Sequence, residues 1–241
     1  MATNYNYFGG IVTNGLVLDL DAAKLASYPG TGTTWYDISG NNNNGTLTNG
    51  PTFSGIGKQA SIVFDGVDDY VTGSLPNFNV GCISMWINPS TLINSGSAFQ
   101  SLIVLKYTGV ANSEWYASLG SSTSYFTNEY ITLADVANDT RTVIDDGGSL
   151  LANTWCNLVF NIESGTYKIY LNGVKKTETT RGGGVQQLTT PNLIQLGAFV
   201  RGSILSGPFP GKVASTQLYN RALSANEVSQ NFNALRGRYG I

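Results

Sequence analysis

The apolar residues of this chain recur at every second position along most of its length, and that period excludes most folds. Cys156, Leu158, Phe160 and Ile162 alternate with Trp155, Asn157, Val159 and Asn161, as a strand with one strongly buried face should. A turn at Glu163-Ser-Gly165 follows, after which Tyr167, Ile169 and Leu171 alternate with Lys168 and Tyr170. Asn172-Gly173 comes next, a strong hairpin signal because a type I′ turn needs positive φ at both central positions. Residues 174–179 then read as the third strand of a meander. The same alternation predicts strands near 16–20, 61–64, 70–72, 83–88, 102–106, 115–119, 130–133, 141–144, 193–197 and 212–219. Strands this short, punctuated by Gly, Asn and Pro, predict an all-β fold, a two-sheet antiparallel β-sandwich of the jelly-roll kind.

One segment breaks the rule. Ser224 and Glu227 have the Ser-x-x-Glu spacing of a capping box, which satisfies the free amides at a helix start. Val228, Phe232 and Leu235 recur at i, i+4 and i+7, so a single short C-terminal helix with one apolar stripe is expected. Arg236 suits its last turn, and Gly237 is expected to close it in the left-handed conformation. No linker or composition shift divides the rest, so residues 15–241 read as one jelly-roll domain. Residues 1–14 differ in character, polar with Tyr5, Tyr7 and Phe8, and read as a disordered start or as an N-terminal assembly arm that orders against a partner.

Only 12% of the residues are charged, about half the usual globular share. The surface is therefore covered by Asn, Thr, Ser and backbone. Net charge is −2 with no Lys/Arg cluster, which argues against nucleic acid as a partner, and no polybasic or long apolar segment marks a membrane. No signal peptide is visible at the N-terminus, yet the composition suits an extracellular or particle surface. Release by lysis inside a particle satisfies both. Cys82 and Cys156 each fall within an expected strand and are read as free, buried thiols. Histidine is absent, which removes Ser-His and Cys-His dyads and histidine metal sites.

Several segments, in order, resemble the concanavalin A-like lectin/glucanase superfamily, in its laminin-G-like jelly-roll branch. They are Gly15-Leu-Val-Leu-Asp-Leu-Asp21, Trp35-Tyr-Asp-Ile-Ser-Gly-Asn41 with Gly45-Thr-Leu47, and Phe64-Asp-Gly-Val-Asp-Asp-Tyr-Val71. Ile83-Ser-Met-Trp-Ile-Asn-Pro89, the 155–173 meander, and Gly211-Lys-Val213 leading into Tyr219-Asn-Arg-Ala-Leu-Ser224 complete the set. Within that branch, Ile11-Val-Thr-Asn-Gly-Leu-Val17 with Ser27-Tyr-Pro-Gly-Thr-Gly-Thr-Thr-Trp35, and the ending Ser229 to Gly240, resemble versions found in tailed bacteriophages, including those of cyanobacteria. The resemblance implies a non-enzymatic virion structural or surface protein: capsid decoration, fibre or tail component. Its expected partners are other virion proteins, itself as a homo-oligomer, and a cell-surface glycan. The alternative reading is a carbohydrate-binding adhesin module for host recognition, and a glucanase or lyase ranks last.

The glucanases of this superfamily carry Glu-x-Asp-x-x-Glu on one strand, because retaining hydrolysis needs two carboxyls about 5–5.5 Å apart. None of Glu114, Glu129, Glu163, Glu178 and Glu227 has an acid at i+2, so no catalytic residue is assigned. Asp65, Asp68 and Asp69 cluster around a turn, where Asp is mainly a turn former. No cofactor is expected. Relatives often hold structural calcium through an Asp-Glu pair after the Gly-Lys-Val step of the penultimate strand, and here Ala214 and Ser215 stand in those places. Asp37, Ser39, Asn41 and Asn43 imitate a calcium loop but lack its central glycine and terminal Glu, and read as an Asx-rich turn. Asp19 and Asp21, on one face of their strand, remain the candidate metal ligands.

Glycan sites stack sugar rings on aromatics and fix hydroxyls with a few polar groups. Tyr107, Trp115, Tyr116, Tyr125, Phe126 and Tyr130 form one aromatic group in the sequence, and Phe199, Arg201 and Phe209 a second. Both are candidate glycan or partner surfaces, with core packing by alternation as the competing account, since Tyr and Arg equally favour protein contacts.

Overall fold

The computed structural model describes residues 10–55, 57–92, 99–108, 113–120, 131–136, 140–144, 150–163, 166–181 and 190–241. Two antiparallel sheets face each other as the alternation demands. The first runs β14 (Val174–Lys175), β13 (Thr166–Leu171), β12 (Cys156–Glu163), β7 (Cys82–Pro89), β19 (Pro210–Tyr219), β5 (Ser61–Asp65), β4 (Thr52–Ser54). β1 (Leu16–Asp21) pairs the second half of β19, where β5 has ended. The second sheet runs β15 (Glu178–Arg181), β11 (Thr140–Ile144), β10 (Ile131–Asp135), β9 (Glu114–Gly120), β8 (Phe99–Lys106), β16 (Leu193–Leu196), β6 (Tyr70–Ser74), β3 (Gly45–Thr48), β2 (Thr34–Trp35). A separate hairpin, β17 (Phe199–Arg201) and β18 (Ile204–Ser206), a 3-10 turn at Gly57–Gln59, and one α-helix, α1 (Ala225–Arg236), complete the elements of the described residues. This is a jelly-roll sandwich.

One residue set from each strand fills the space between the sheets. Ile83, Met85 and Ile87 of β7 join Leu158, Phe160 and Ile162 of β12, against Trp115, Ala117 and Leu119 of β9 and Ile131 and Leu133 of β10. Val174 and Lys175 pair with β13 as the third strand of the expected meander. The chain then leaves, and β15 pairs β11 of the other sheet, so the predicted 174–179 strand is two strands in two sheets. Asn172 (φ 51°) and Gly173 (φ 77°) form the positive-φ turn that their types predict.

Helix α1 covers the outer face of the eight-stranded sheet. Its capping box is complete: the Ser224 hydroxyl accepts from the Glu227 amide, and the Glu227 carboxylate accepts from the Ser224 amide. Beneath it, Trp86 stacks on Tyr239 at 4.2 Å and on Phe232 at 5.8 Å, with Leu235 and Trp155 closing the cluster. Gly237 does not take the left-handed conformation: its φ is −63°. The chain instead turns right-handed through Arg238 and Tyr239, with Gly240 (φ 76°) as the left-handed residue. That extra turn carries Arg238 onto Asp21 and Tyr239 onto Trp86, and these contacts outweigh an earlier stop.

Residues 10–14 belong to this same face, so the expected arm of residues 1–14 is docked at its root. The Val12 amide donates to Asn231 Oδ1 (2.7 Å), Tyr219 Oη donates to Val12 O (3.0 Å), and Gln230 Nε2 donates to Gly10 O (2.9 Å). Tyr5, Tyr7 and Phe8 lie outside the described residues. Cys82 and Cys156 are buried and form no disulfide, lying on adjacent strands but at opposite ends: Cys82 faces Asn161, and Cys156 faces Ile87. Burial pushes the Cys82 thiol well above its ordinary pKa, which keeps it protonated and unreactive.

Candidate functional site

The outer face of the nine-stranded sheet carries a different set of side chains. Glu114 and Tyr116 on β9 point away from the core that receives Trp115, Ala117 and Leu119. Around Tyr116 gather Val104 and Ala134, with Phe99, Val136 and Phe199 partly buried against them. The Phe199 ring meets Tyr116 edge-on at 5.9 Å, and the Phe99 ring lies tilted to Tyr116 at 5.7 Å. Above them stands the β17–β18 hairpin. Phe99, Tyr116, Val136, Phe199, Arg201, Ile204 and Ser206 enclose a cleft of about 380 Å³.

Three polar attachments hold the hairpin. Gln195 on β16 grips Val200 like a neighbouring strand, its Nε2 donating to the carbonyl and its Oε1 accepting from the amide, both at 3.1 Å. Lys106 Nζ donates to the same carbonyl at 3.1 Å. Arg201 forks onto Glu114, Nε to Oε1 at 3.0 Å and Nη2 to Oε2 at 2.7 Å. Glu114 is buried and Arg201 about half exposed, and the planar fork matches the carboxylate in two bonds. The guanidinium also lies 5.6 Å over the Phe199 ring. Behind the hairpin, Gly207 (φ 56°) lies so close to Phe99 that a Cβ would approach its ring at 2.5 Å. The cleft is therefore built before any ligand arrives.

Of the expected surface residues, the structure brings together Tyr116, Phe199 and Arg201, one from the first aromatic group and two from the second. Trp115 is not a surface residue. It points into the core, edge-on to Tyr167 at 5.1 Å, because adjacent residues of a strand face opposite ways. Phe209 is likewise core, tilted against Phe64. Tyr107 is 41% exposed but lies past the end of β8, outside the cleft. Tyr125, Phe126 and Tyr130 fall outside the described residues. Phe99, Val136, Ile204 and Ser206 were not anticipated. The Gly202-Ser203 pair between Phe-Val-Arg and Ile-Leu-Ser was the available signal for the hairpin.

The candidate metal ligands are engaged by the chain's own cations. Asp21 accepts both arms of Arg238 at 2.8 Å. Asp19 accepts from Gln217 at 2.9 Å and from Lys24 at 3.4 Å, and burial raises its pKa above the ordinary carboxylate value. The Asp37 loop behaves as an Asx turn: its carboxylate accepts from the amides of Asp19, Ser39 and Asn43 and from the Ser39 hydroxyl. Asp65, Asp68 and Asp69 bring their carboxylates within 4.8 Å of one another, with Asp65 and Asp68 exposed. Asp65 and Asp69 there accept backbone amides of their own turn. Among the described residues, no helix is long and apolar enough to cross a membrane.

The sequence pattern of the concanavalin A-like lectin/glucanases superfamily matches residues 64–229, well over half of the chain, from the end of β5 into the first half of α1. The chain belongs to this superfamily. Comparison with curated proteins gives no match. Among solved structures, this superfamily member is similar to domain 4 of AbnA, an extracellular GH43 arabinanase of Geobacillus stearothermophilus, solved in complex with arabinotriose. The two are 18% identical with a TM-score of 0.61, over 90% of this chain and 97% of that one. The binding domain of botulinum neurotoxin serotype D aligns at 17% identity and TM-score 0.66, over 92% of this chain and 52% of that one. The sialidase of Trypanosoma rangeli aligns at 13% identity and TM-score 0.59, over 90% of this chain and 32% of that one. These likenesses concern the fold.

Proposed function

We propose that the protein is a non-enzymatic surface component of a tailed-phage virion, built on a lectin-like jelly roll, and that its roofed cleft binds carbohydrate. The observation that carries the binding role is the pre-assembled cleft, with aromatic walls from β8, β9 and β17 and a fixed guanidinium at its mouth. Such a combination of apolar walls and few placed polar groups is how small-ligand sites are generally made. The arabinotriose complex of one similar structure and the binding role named for another lend the reading support. The virion assignment rests on the phage-like stretches at both ends of the chain, 11–35 and 229–240.

A catalytic role finds no support in the same cleft. The described residues that line it include no carboxylate, and Glu114 beside Arg201 has both its oxygens on that guanidinium. Hydrolysis with retention or inversion needs two carboxyls across the scissile bond. Binding is tested by titrating the protein with saccharides and repeating the titration on Phe199→Ala. Saturable binding that the variant loses is expected; unchanged binding by the variant moves the site elsewhere. Mass spectrometry of purified particles tests the location, and absence of the protein from them sinks the virion assignment. Incubation with polysaccharide is expected to release no reducing sugar.

A further inference from the structure

The cleft's chemistry narrows its ligand further, on the reading that it binds a saccharide. Five of its seven lining side chains are apolar or aromatic: Phe99, Tyr116, Val136, Phe199 and Ile204. An unsubstituted hexose carries a hydroxyl at almost every ring carbon. Seating those hydroxyls against Val136, Ile204 and Phe99 would strip their water without replacing its hydrogen bonds, an unfavourable exchange. Ile204 is 65% exposed at the hairpin end, an aliphatic side chain held at the cleft with much of its surface in water. A ligand that covers it gains free energy only by presenting an apolar group of its own.

Charge narrows the choice in the same direction. Arg201 is the one cation among the described residues that line the cleft, and it is held at 2.7–3.0 Å by buried Glu114, while Lys106 is turned to the Val200 carbonyl. A carboxylated or sulfated sugar would have to share the guanidinium with Glu114 and suffer repulsion from it. An uncharged sugar avoids that conflict and still finds the Ser206 hydroxyl and the rim of the ion pair for its remaining polar groups.

We infer that the cleft selects uncharged saccharides bearing a methyl group, either the C6 methyl of a 6-deoxyhexose or the acetyl methyl of an N-acetylhexosamine, over the unsubstituted hexoses. The methyl lies against Val136, Ile204 and Phe99, and the sugar ring against Phe199. For the 6-deoxyhexose, discrimination follows from the methyl alone: exchanging it for a hydroxymethyl is worth about tenfold or more in a site of this kind.

Calorimetric titration of the full chain tests this with matched methyl glycosides. L-rhamnoside against L-mannoside isolates the C6 methyl, N-acetylglucosaminide against glucoside exchanges the methyl-bearing acetamido group for a hydroxyl, and glucuronide supplies the charged arm. At least one methyl-bearing member is expected to bind about tenfold more tightly than its partner, with the glucuronide weakest. Ile204→Asn, at an exposed position where folding is indifferent, is expected to erase the preference while Phe199→Ala removes binding altogether. Equal affinity within both pairs, or tightest binding by the glucuronide, overturns the selectivity even if Phe199→Ala abolishes binding and so upholds the cleft as the saccharide site. Binding of no saccharide, or binding that Phe199→Ala leaves intact, overturns both.

Discussion

The two sheets share one core, yet their outer faces are finished in opposite ways. On the eight-stranded sheet, helix α1 and the turns after it lay Phe232, Leu235 and Tyr239 over Trp86, which is left with no exposed surface. On the nine-stranded sheet, a hairpin of two three-residue strands stands over Tyr116 and leaves a cleft open. Both covers use aromatic contacts. They differ in how the cover is attached: α1 presses a continuous apolar stripe onto the sheet, whereas the hairpin is held by polar bonds from Gln195, Lys106 and Glu114. Polar attachment fixes a position without filling the space below it. One face is therefore filled, and the other keeps a cleft.

That division is broken most directly at Trp86. Trp86→Ala is expected to cost about 3–5 kcal/mol in denaturant unfolding, the usual penalty for emptying a buried aromatic position. A loss below about 1 kcal/mol would mean that the helix-covered face is not the stabilising one. Gly173→Ala comes next. Its φ of 77° disfavours a side chain, and a Cβ there would approach Phe232 at 2.9 Å, so the hairpin turn and the helix are strained together. A shift in unfolding free energy of more than about 1 kcal/mol is expected, and a neutral result would detach the helix from that turn. Phe199→Ala should move stability by about 1 kcal/mol or less while removing saccharide binding. If it unfolds the domain instead, the cleft is a structural face and the contrast fails.

The gentlest probe is pH. The Arg221 guanidinium, with help from the Ser224 amide, holds Glu227 at about 2, below its ordinary 4.5. A carboxylate whose folded pKa is depressed contributes stability that is complete above 4.5 and is lost as the pH falls toward 2. Thermal melts across that window should decline in the wild type and decline less in Glu227→Gln. Equal slopes would remove the capping box from the account of how α1 is held.

Much of the helix-covered face is legible in the sequence because its signals are local. Ser224 and Glu227 are three residues apart, and Asn172-Gly173 is a dipeptide, so each can be read without knowing the rest. What was missed spans long separations. Arg238 reaches Asp21 across 217 residues, and only that meeting explains why Gly237 stays right-handed. Asn231, a polar residue of the helix, is buried and bonded to both Val12 and Tyr219, partners that no local pattern announces. The cleft was half legible. Trp115 and Tyr116 are neighbours, and parity decides which one is core: Tyr116 shares its side with Glu114 and Ser118, Trp115 with Ala117 and Leu119. The hairpin escaped because three-residue strands are too short to display a period, leaving Gly202-Ser203 as their only mark.

The docking of Gly10, Val12 and Asn14 against α1 and Arg221 has a mechanical consequence. The chain enters the domain on the face opposite the cleft. When a tether pulls at the entry point and a ligand resists in the cleft, the load passes through the sandwich from one sheet to the other. Strand ladders give way most readily when peeled apart in their own plane, bond after bond. Tension that crosses the layers is borne instead by the whole interlocked core at once.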